Sequence, residues 1–99
     1  MALVILWRFE AAAGRAADFE RTYGPDGDWA RLFSLSSDYR GTELLTDAVH
    51  PGRYVTIDRW ASAAAFETFK AQWKAEYEAL DRRSASLTAS ETPLGTFEA

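Results

Sequence analysis

Residues 3–10 read Leu-Val-Ile-Leu-Trp-Arg-Phe-Glu, and this stretch decides the fold. It is rich in branched and aromatic side chains and too short for a helix of ordinary length, so it predicts a β-strand. Because successive side chains of a strand point to opposite faces, one face presents Leu3, Ile5, Trp7 and Phe9. Val4 and Leu6 lie on the opposite face. A strand that is apolar on both faces has to be covered on both faces.

The chain after this strand first predicts helical structure. Apolar residues at helical spacing predict a helix over residues 14–23, which Gly24 and Pro25 end. A short helix follows, with Asp28 as its expected N-cap.

A hairpin and a second helical region follow. Strands are predicted over Tyr39–Asp47 and Arg53–Trp60, joined by a turn whose Pro-Gly pair suits a type II conformation. Ser62 is the expected N-cap of a long helix. Steps of three and four predict one continuous apolar stripe on that helix, made of Phe66, Phe69, Trp73, Tyr77 and Leu80. Helical pattern extends past Arg83 to Leu87, and a last strand covers about residues 91–98.

The element order is therefore βαββαβ. It predicts a ferredoxin-like α+β fold, a four-stranded antiparallel sheet with its helices on one face. The length of 99 residues fits one domain, residues 1–99.

The sheet face opposite the helices predicts a homodimer. On that face we place five apolar side chains, Val4, Leu6, Leu44, Val55 and Ile57. We expect their burial against a second copy to outweigh the roughly 4–15 kcal/mol lost on association. The alternative is a monomer whose C-terminal segment folds over the same face.

Composition excludes several classes of protein. The chain has no cysteine, which excludes disulfides, thiolate metal sites and a cysteine nucleophile. Its net charge is −4 and its Lys and Arg residues are scattered, so no basic stripe for nucleic acid is present. The longest apolar run, Ala2 to Trp7, is too short to cross a membrane. We expect a cytoplasmic protein that binds neither nucleic acid nor membrane.

Two segments carry a resemblance to a known family. They are Trp7-Arg-Phe-Glu10 with Gly14, and Pro51-Gly-Arg-Tyr-Val-Thr-Ile-Asp-Arg-Trp60 with Ser62 and Phe66. Nearly the whole chain resembles the antibiotic biosynthesis monooxygenase family, whose members are small dimeric α+β barrels. Residues 23–33 look like an insertion peculiar to a subgroup.

The resemblance implies a pocket between the helices and their own sheet. Some family members oxygenate anthrone- or quinol-like aromatics with O2 and no cofactor, and others degrade haem. The haem-degrading kind needs an Asn, a Trp and a helical His, but this chain has no Asn and its one histidine, His50, lies in the hairpin turn. The oxygenating kind relies on Asn, Trp, Tyr and Arg around its substrate, and this chain has the Trp, Tyr and Arg but not the Asn. The resemblance implies a cofactor-independent monooxygenase acting on a small aromatic or polycyclic metabolite.

The candidate site residues are mostly aromatic, in a chain that is 14% aromatic and has four Trp. Two residues are candidates for catalysis: Asp58 as a base and Tyr77 as a hydrogen-bond donor. A salt bridge from Asp58 to Arg8, and a satisfied hydroxyl for Tyr77, are the structural alternatives. Plain core packing is the alternative for the expected substrate-binding wall of Trp7, Trp29, Phe33, Tyr54, Phe66, Phe69 and Trp73.

No metal site is expected, because Asp26 and Asp28 have no histidine nearby. His50 is interpreted as an exposed turn residue. Two further functions stay open, a non-catalytic or ligand-binding barrel and an isomerase or cyclase, since fold alone does not fix function.

Overall fold

The computed structural model describes all 99 residues and has the predicted order of strands and helices. The elements are β1 (Leu3–Ala11), α1 (Ala16–Tyr23), α2 (Asp28–Phe33), β2 (Tyr39–Thr46), β3 (Arg53–Trp60), α3 (Ala63–Gln72), α4 (Lys74–Ser84) and β4 (Thr88–Glu98). A 3₁₀ turn, Ala85–Leu87, joins α4 to β4. No helix is both long enough and apolar enough to cross a membrane.

The four strands form one antiparallel sheet in the order β2-β3-β1-β4. This is the ferredoxin-like arrangement, so the predicted fold class is confirmed. β1 lies at the centre, where Trp7 pairs with Thr56 and Phe9 pairs with Tyr54. The side chains of β1 and β3 that face the helices therefore alternate with side chains on the other face, as the sequence pattern predicts.

Two clusters of buried side chains fill most of the space between the sheet and the helices. The first contains Leu3, Ile5, Phe33, Trp60 and Phe69. The second contains Phe9, Phe19, Tyr23, Tyr54 and Leu87. Trp7 and Trp29 pack against both clusters, so these two side chains mark the boundary between them.

The helix ends agree with the sequence at one position and differ at another. Ser62 caps α3, where its hydroxyl accepts a hydrogen bond of 3.1 Å from the Ala65 N–H. The prediction that Asp28 caps α2 is wrong, because the N-cap is Gly27 and Asp28 is the first helical residue. Its carboxylate instead accepts a 2.8 Å hydrogen bond from Arg31, one turn later on the exposed surface.

The second helical region is kinked rather than continuous. Trp73 has φ −111° and ψ 30°, which separates α3 from α4. Backbone hydrogen bonds of 2.9 Å from Trp73 to Phe69 and from Tyr77 to Trp73 continue across the break. The kink gives the single apolar stripe two packing partners, since Phe69 packs on Trp60 in β3 and Tyr77 packs on Trp29 in α2.

The face without helices is apolar at its centre and charged at its margins. We call it the open face, and its central side chains are Val4, Leu6, Leu45, Val55, Ile57 and Phe97. The prediction that Leu44 belongs there is wrong, because Leu44 pairs with Thr56 and lies on the helix side, where it packs against the second cluster. Leu45 and Phe97 are 46% and 53% exposed in the single chain.

Candidate functional site

A cavity of about 220 Å³ lies between the sheet and the helices. Every strand contributes to its wall, as do α1, α2 and α4. Six of the eleven lining residues are apolar or aromatic. The lining residues are Trp7, Phe9, Tyr23, Trp29, Phe33, Thr42, Thr56, Asp58, Tyr77, Asp81 and Glu91.

Five of the nine predicted site residues line this cavity together. They are Trp7, Trp29, Phe33, Asp58 and Tyr77. Trp29 and Tyr77 touch edge to face across the gap between α2 and α4, with their ring centres 5.0 Å apart. The structure thus brings both candidate catalytic residues into one space with three of the aromatic residues.

The other four predicted residues lie elsewhere. Phe69 is buried in the first cluster, and Phe66 and Trp73 pack against that cluster. Tyr54 is buried in the second cluster, with its ring 4.7 Å from that of Phe19. Its hydroxyl donates a 2.5 Å hydrogen bond to Glu20, so it is held away from the cavity.

Six lining residues were not predicted. The signal for Phe9 and Thr56 was present, because strand alternation places them on the same face as Trp7 and Asp58. Asp81 follows Tyr77 by one helical turn, a spacing that puts both side chains on one face of α4. Finding the others requires strand register or tertiary packing, and they are Tyr23, Thr42 and Glu91.

Asp58 is the polar side chain set into the aromatic wall. Burial raises its pKa to about 6, and a hydrogen bond from Thr42 opposes that shift. Thr42 lies directly opposite on β2, and its hydroxyl donates to Asp58 Oδ1 at 2.5 Å. The Tyr39 hydroxyl is hydrogen-bonded to Thr42 in turn, so a short polar chain leads from Asp58 across β2.

The proposed salt bridge from Asp58 to Arg8 is absent. Arg8 lies on the open face, where it pairs with Val55. Asp58 takes part in none of the seven ion pairs of the protein. Its only hydrogen bond goes to Oδ1, which leaves Oδ2 without a protein donor. A carboxylate in this state is able to accept a proton from a bound molecule.

Three hydrogen-bond donors accompany Asp58 in the wall. Burial, followed by the charge of Asp81, raises the pKa of Tyr77. Burial, followed by the charge of Glu91, raises the pKa of Tyr23 to about 12. Both hydroxyls therefore keep their protons at neutral pH. The Nε1–H of Trp29 lowers the pKa of Tyr23 by interacting with its hydroxyl, although this N–H, like that of Trp60 in the packed core, forms no hydrogen bond of regular geometry.

Two further carboxyl groups lie at the exposed rim of the cavity. Asp81 and Glu91 are exposed side chains on α4 and β4. Partial burial, followed by the charge of Asp81, raises the pKa of Glu91. Asp81 and Glu91 also line a neighbouring surface cavity, together with Arg82. Neither belongs to an ion pair, and no Lys, Arg or His lines the cavity. The charged groups of the site are thus all acidic.

The protein has no evident metal or haem ligand set at the cavity. No group of three or more His, Cys, Asp or Glu side chains is arranged to hold a metal ion. His50 lies in the hairpin turn, 3.5 Å from the carboxylate of Asp47 and 58% exposed, and it does not line the cavity. This position agrees with its interpretation as a turn residue.

Comparison with known proteins supports the fold. No protein-family model matches the chain, and no curated protein matches it in sequence. Among solved structures, SnoaB from Streptomyces nogalater, a cofactor-independent oxygenase, superposes with a TM-score of 0.78 at 22% identity. The match covers 99% of this chain and 92% of that one.

Two further structures are proteins proposed to be antibiotic biosynthesis monooxygenases. The one from Nitrosomonas europaea has a TM-score of 0.73 at 12% identity, over 99% of this chain and 89% of its own. The one from Bordetella bronchiseptica has a TM-score of 0.73 at 17% identity, over 99% and 96%. The chain therefore has the fold of the antibiotic biosynthesis monooxygenases, as the sequence resemblance implied. At these identities the likeness shows the fold alone.

Proposed function

We propose that the protein is a cofactor-independent monooxygenase that acts on a small aromatic metabolite, with Asp58 as its base. One observation carries the proposal: a carboxylate with a raised pKa and a free oxygen enters a cavity that six aromatic residues help to line. Core packing alone does not explain this carboxylate, because burying a carboxylate without an ion-pair partner costs free energy. The fold shared with the oxygenase SnoaB supports the same reading.

The reaction needs a substrate that becomes an electron-rich anion. Asp58 removes a proton from a ring CH2 group of an anthrone-like substrate, and the anion gives an electron to O2. Recombination forms a C–O bond and a peroxide, and loss of the second C–H proton breaks the O–O bond. The sum is CH2 + O2 → C=O + H2O, in which O2 supplies both oxygen atoms and accepts all four electrons.

The other polar side chains hold the developing charge on the substrate oxygen. The hydroxyls of Tyr77 and Tyr23 are protonated donors. Donors that are already oriented in a water-poor site stabilise an oxyanion far more than water-exposed donors do.

The size of the cavity limits the substrate. A cavity of roughly 150 Å³ accepts benzene, and this one measures about 220 Å³. One aromatic ring with substituents, or two fused rings, fits within a single subunit. A quinol or anthrone-like compound with more rings would extend through the rim.

Oxygen uptake with naphthoquinols and small anthrones tests the proposal. We expect uptake with one O2 consumed per product, and a rate that rises with pH around 6, where Asp58 loses its proton. Asp58→Asn should lower the rate by about 100-fold or more. Asp38→Asn is the matched control, because Asp38 is an exposed carboxylate away from the cavity. Equal rates in the Asp58→Asn and wild-type proteins would contradict the proposal.

The same experiment separates the two other candidate functions. A barrel that only binds ligands would consume no O2, although the ring would still quench tryptophan fluorescence on binding. An isomerase or cyclase would turn over substrate without oxygen, so an anaerobic reaction with Asp58 dependence would favour proton-transfer chemistry.

We also propose that two copies pair through the open face. Its apolar centre is flanked by charged pairs, Arg53 with Glu10 and Arg59 with Glu43. An exposed apolar patch with a polar rim is typical of a protein–protein interface. The ring of Phe97 lies over Gly95, where an added Cβ would come within 2.7 Å of it. Because Gly95 has no side chain, the ring of Phe97 is able to lie on the apolar patch.

Analytical ultracentrifugation at micromolar concentration tests the dimer. We expect the mass of two chains for the wild type and of one chain for Leu6→Glu, since the charge would be buried without a partner. Leu35→Glu is the control, because Leu35 is 54% exposed in a segment remote from the sheet face. A single-chain mass for the wild type would overturn the pairing.

A further inference from the structure

We infer that the cavity takes an aromatic ligand bearing a protonated amine, with its ring between the aromatic walls and its ammonium group at Asp81 and Glu91. This inference deepens the proposed function by naming the class of substrate. It rests on the cavity being the substrate site, and its test measures binding rather than oxygenation.

The charge of the lining is the first argument. Three of the eleven lining residues are acidic, and none is basic. None of the three carboxyl groups has a partner in an ion pair. Inside this cavity a ligand with a carboxylate or phosphate group would meet only like charge, whereas an ammonium group would supply the missing counter-charge. Arg82 lies beside Asp81 and Glu91 but lines only the neighbouring surface cavity.

The position of the carboxyl groups is the second argument. Asp81 and Glu91 are exposed at the rim, while Asp58 is largely buried inside. An ammonium group at the rim therefore keeps part of its hydration while the ring enters the apolar interior. Burying the ammonium group completely would cost much more.

The aromatic residues beside the rim supply the third argument. Tyr77 lies one helical turn before Asp81 and packs edge to face against Trp29. Trp and Tyr faces attract cations through their ring quadrupoles. The hydroxyls of Tyr23 and Tyr77 line the same cavity and are protonated donors. A phenol or quinol oxygen on the ring of the ligand would accept hydrogen bonds from them.

The amine also resolves an electrostatic conflict in the proposed reaction. Removing a proton from the substrate creates an anion in a cavity whose ionised groups are all negative. No side chain of the lining is able to neutralise that anion. A positive charge on the substrate itself makes the deprotonated species neutral overall, so its formation in this cavity costs less.

Three phenols test the inference; they share a two-carbon para side chain and differ in the terminal group and its charge. The probes are 4-(2-aminoethyl)phenol, the neutral 4-ethylphenol and the anionic 3-(4-hydroxyphenyl)propanoate, with binding followed by tryptophan fluorescence and calorimetry at low salt. We expect the amine to bind about 5–10-fold more tightly than the neutral phenol, since exposed ion pairs and cation–π contacts are each modest. The anion should bind more weakly than either, and added salt should reduce the preference for the amine.

Variants of the two acidic residues at the rim test where the ammonium group binds. Asp81→Asn and Glu91→Gln should each weaken binding of the amine by about 2–4-fold and leave the neutral phenol unchanged. Glu78→Gln is the matched control, since it removes the same charge from an exposed position on α4 outside the cavity. Equal affinities for the amine and the neutral phenol would overturn the inference and leave the proposed function standing. Binding of none of the three probes would overturn both, because the cavity would then not be a site for aromatic rings.

Discussion

Trp60 and Asp58 lie two residues apart on the same face of β3, yet their surroundings are opposite. Trp60 is fully buried, and the rings of Phe33, Tyr39, Phe66 and Phe69 surround it at centre-to-centre distances of 5.1–5.4 Å. Asp58 instead faces the cavity and touches β2 through Thr42. The layer between the helices and the sheet is therefore closely packed around Trp60 and hollow beside Asp58.

The difference follows from side-chain size along the strands. β3 presents a tryptophan at position 60, which packs against Phe69 of α3. Beside it the strand presents Thr56 and Asp58, two smaller side chains that border the cavity. Trp29 and Tyr77 line the helix side of this space, where they contact each other. A cavity results where large residues of the helices face small polar residues of the sheet.

Truncating the closely packed side chain of Trp60 should have the largest effect on stability. Trp60→Ala removes a fully buried indole, and we expect a loss of about 3–5 kcal/mol in the free energy of unfolding. Trp7→Ala is the comparison at the cavity wall, where a partly exposed side chain already borders empty space, so its loss should be clearly smaller. Urea unfolding of both variants measures the difference. Equal losses of stability would mean that packing does not differ between Trp60 and the cavity wall at Trp7.

Much of this contrast could be predicted from the sequence. The two-faced apolar pattern of residues 3–10 gave β1 its central position, and period-two alternation in β3 placed Asp58 on the same face as Trp60. The aromatic character of the site also followed from composition. The sequence pattern does not show which aromatic side chains fill the core and which border a cavity. Phe69 and Tyr77 share one apolar stripe, and only the kink at Trp73 separates their surroundings.

Strand register is the second feature that could not be predicted from the sequence. Leu44 and Leu45 are adjacent, so either could face the helices, and a shift of one residue exchanges their faces. The register shift between Tyr39 and Gly41 helps to decide the matter, and no sequence signal marked it in advance. Thr42 was missed for the same reason, since its contact with Asp58 depends on that register.

The next largest effect is expected for Asp58 at the cavity, in the pH dependence of the free energy of unfolding. Burial raises the pKa of Asp58 to about 6 from its ordinary value of 3.8, so the folded protein binds a proton there more tightly than the unfolded chain does. The stability that Asp58 contributes is therefore full below pH 4 and is lost as the pH rises through 6. Asp58→Asn, which stays neutral, should be more stable than the wild type by about 1–3 kcal/mol at pH 7.5.

Unfolding of both proteins in urea at pH 3.5 and pH 7.5 checks this expectation. The gain should shrink strongly at the lower pH, where the wild-type carboxyl is protonated in both states. Asp38→Asn should show no such pH-dependent gain, because this carboxyl is exposed. A gain of the same size at both pH values would mean that lost packing or hydrogen bonding, rather than ionisation, explains the effect.

The smallest effect should come from the hydrogen bond that moderates Asp58. The Thr42 hydroxyl donates to the ionised carboxylate and so lowers its pKa against the stronger effect of burial. Thr42→Val should therefore raise the pKa of Asp58 further, whereas Thr42→Ser, which keeps the hydroxyl, should leave it nearly unchanged. Carboxyl ¹³C chemical shifts recorded against pH measure the midpoint directly. A midpoint that falls in Thr42→Val would mean that water enters the space and solvates the carboxylate better than the hydroxyl does. Burial would then no longer be the dominant influence on Asp58, and the contrast with Trp60 would be one of shape alone.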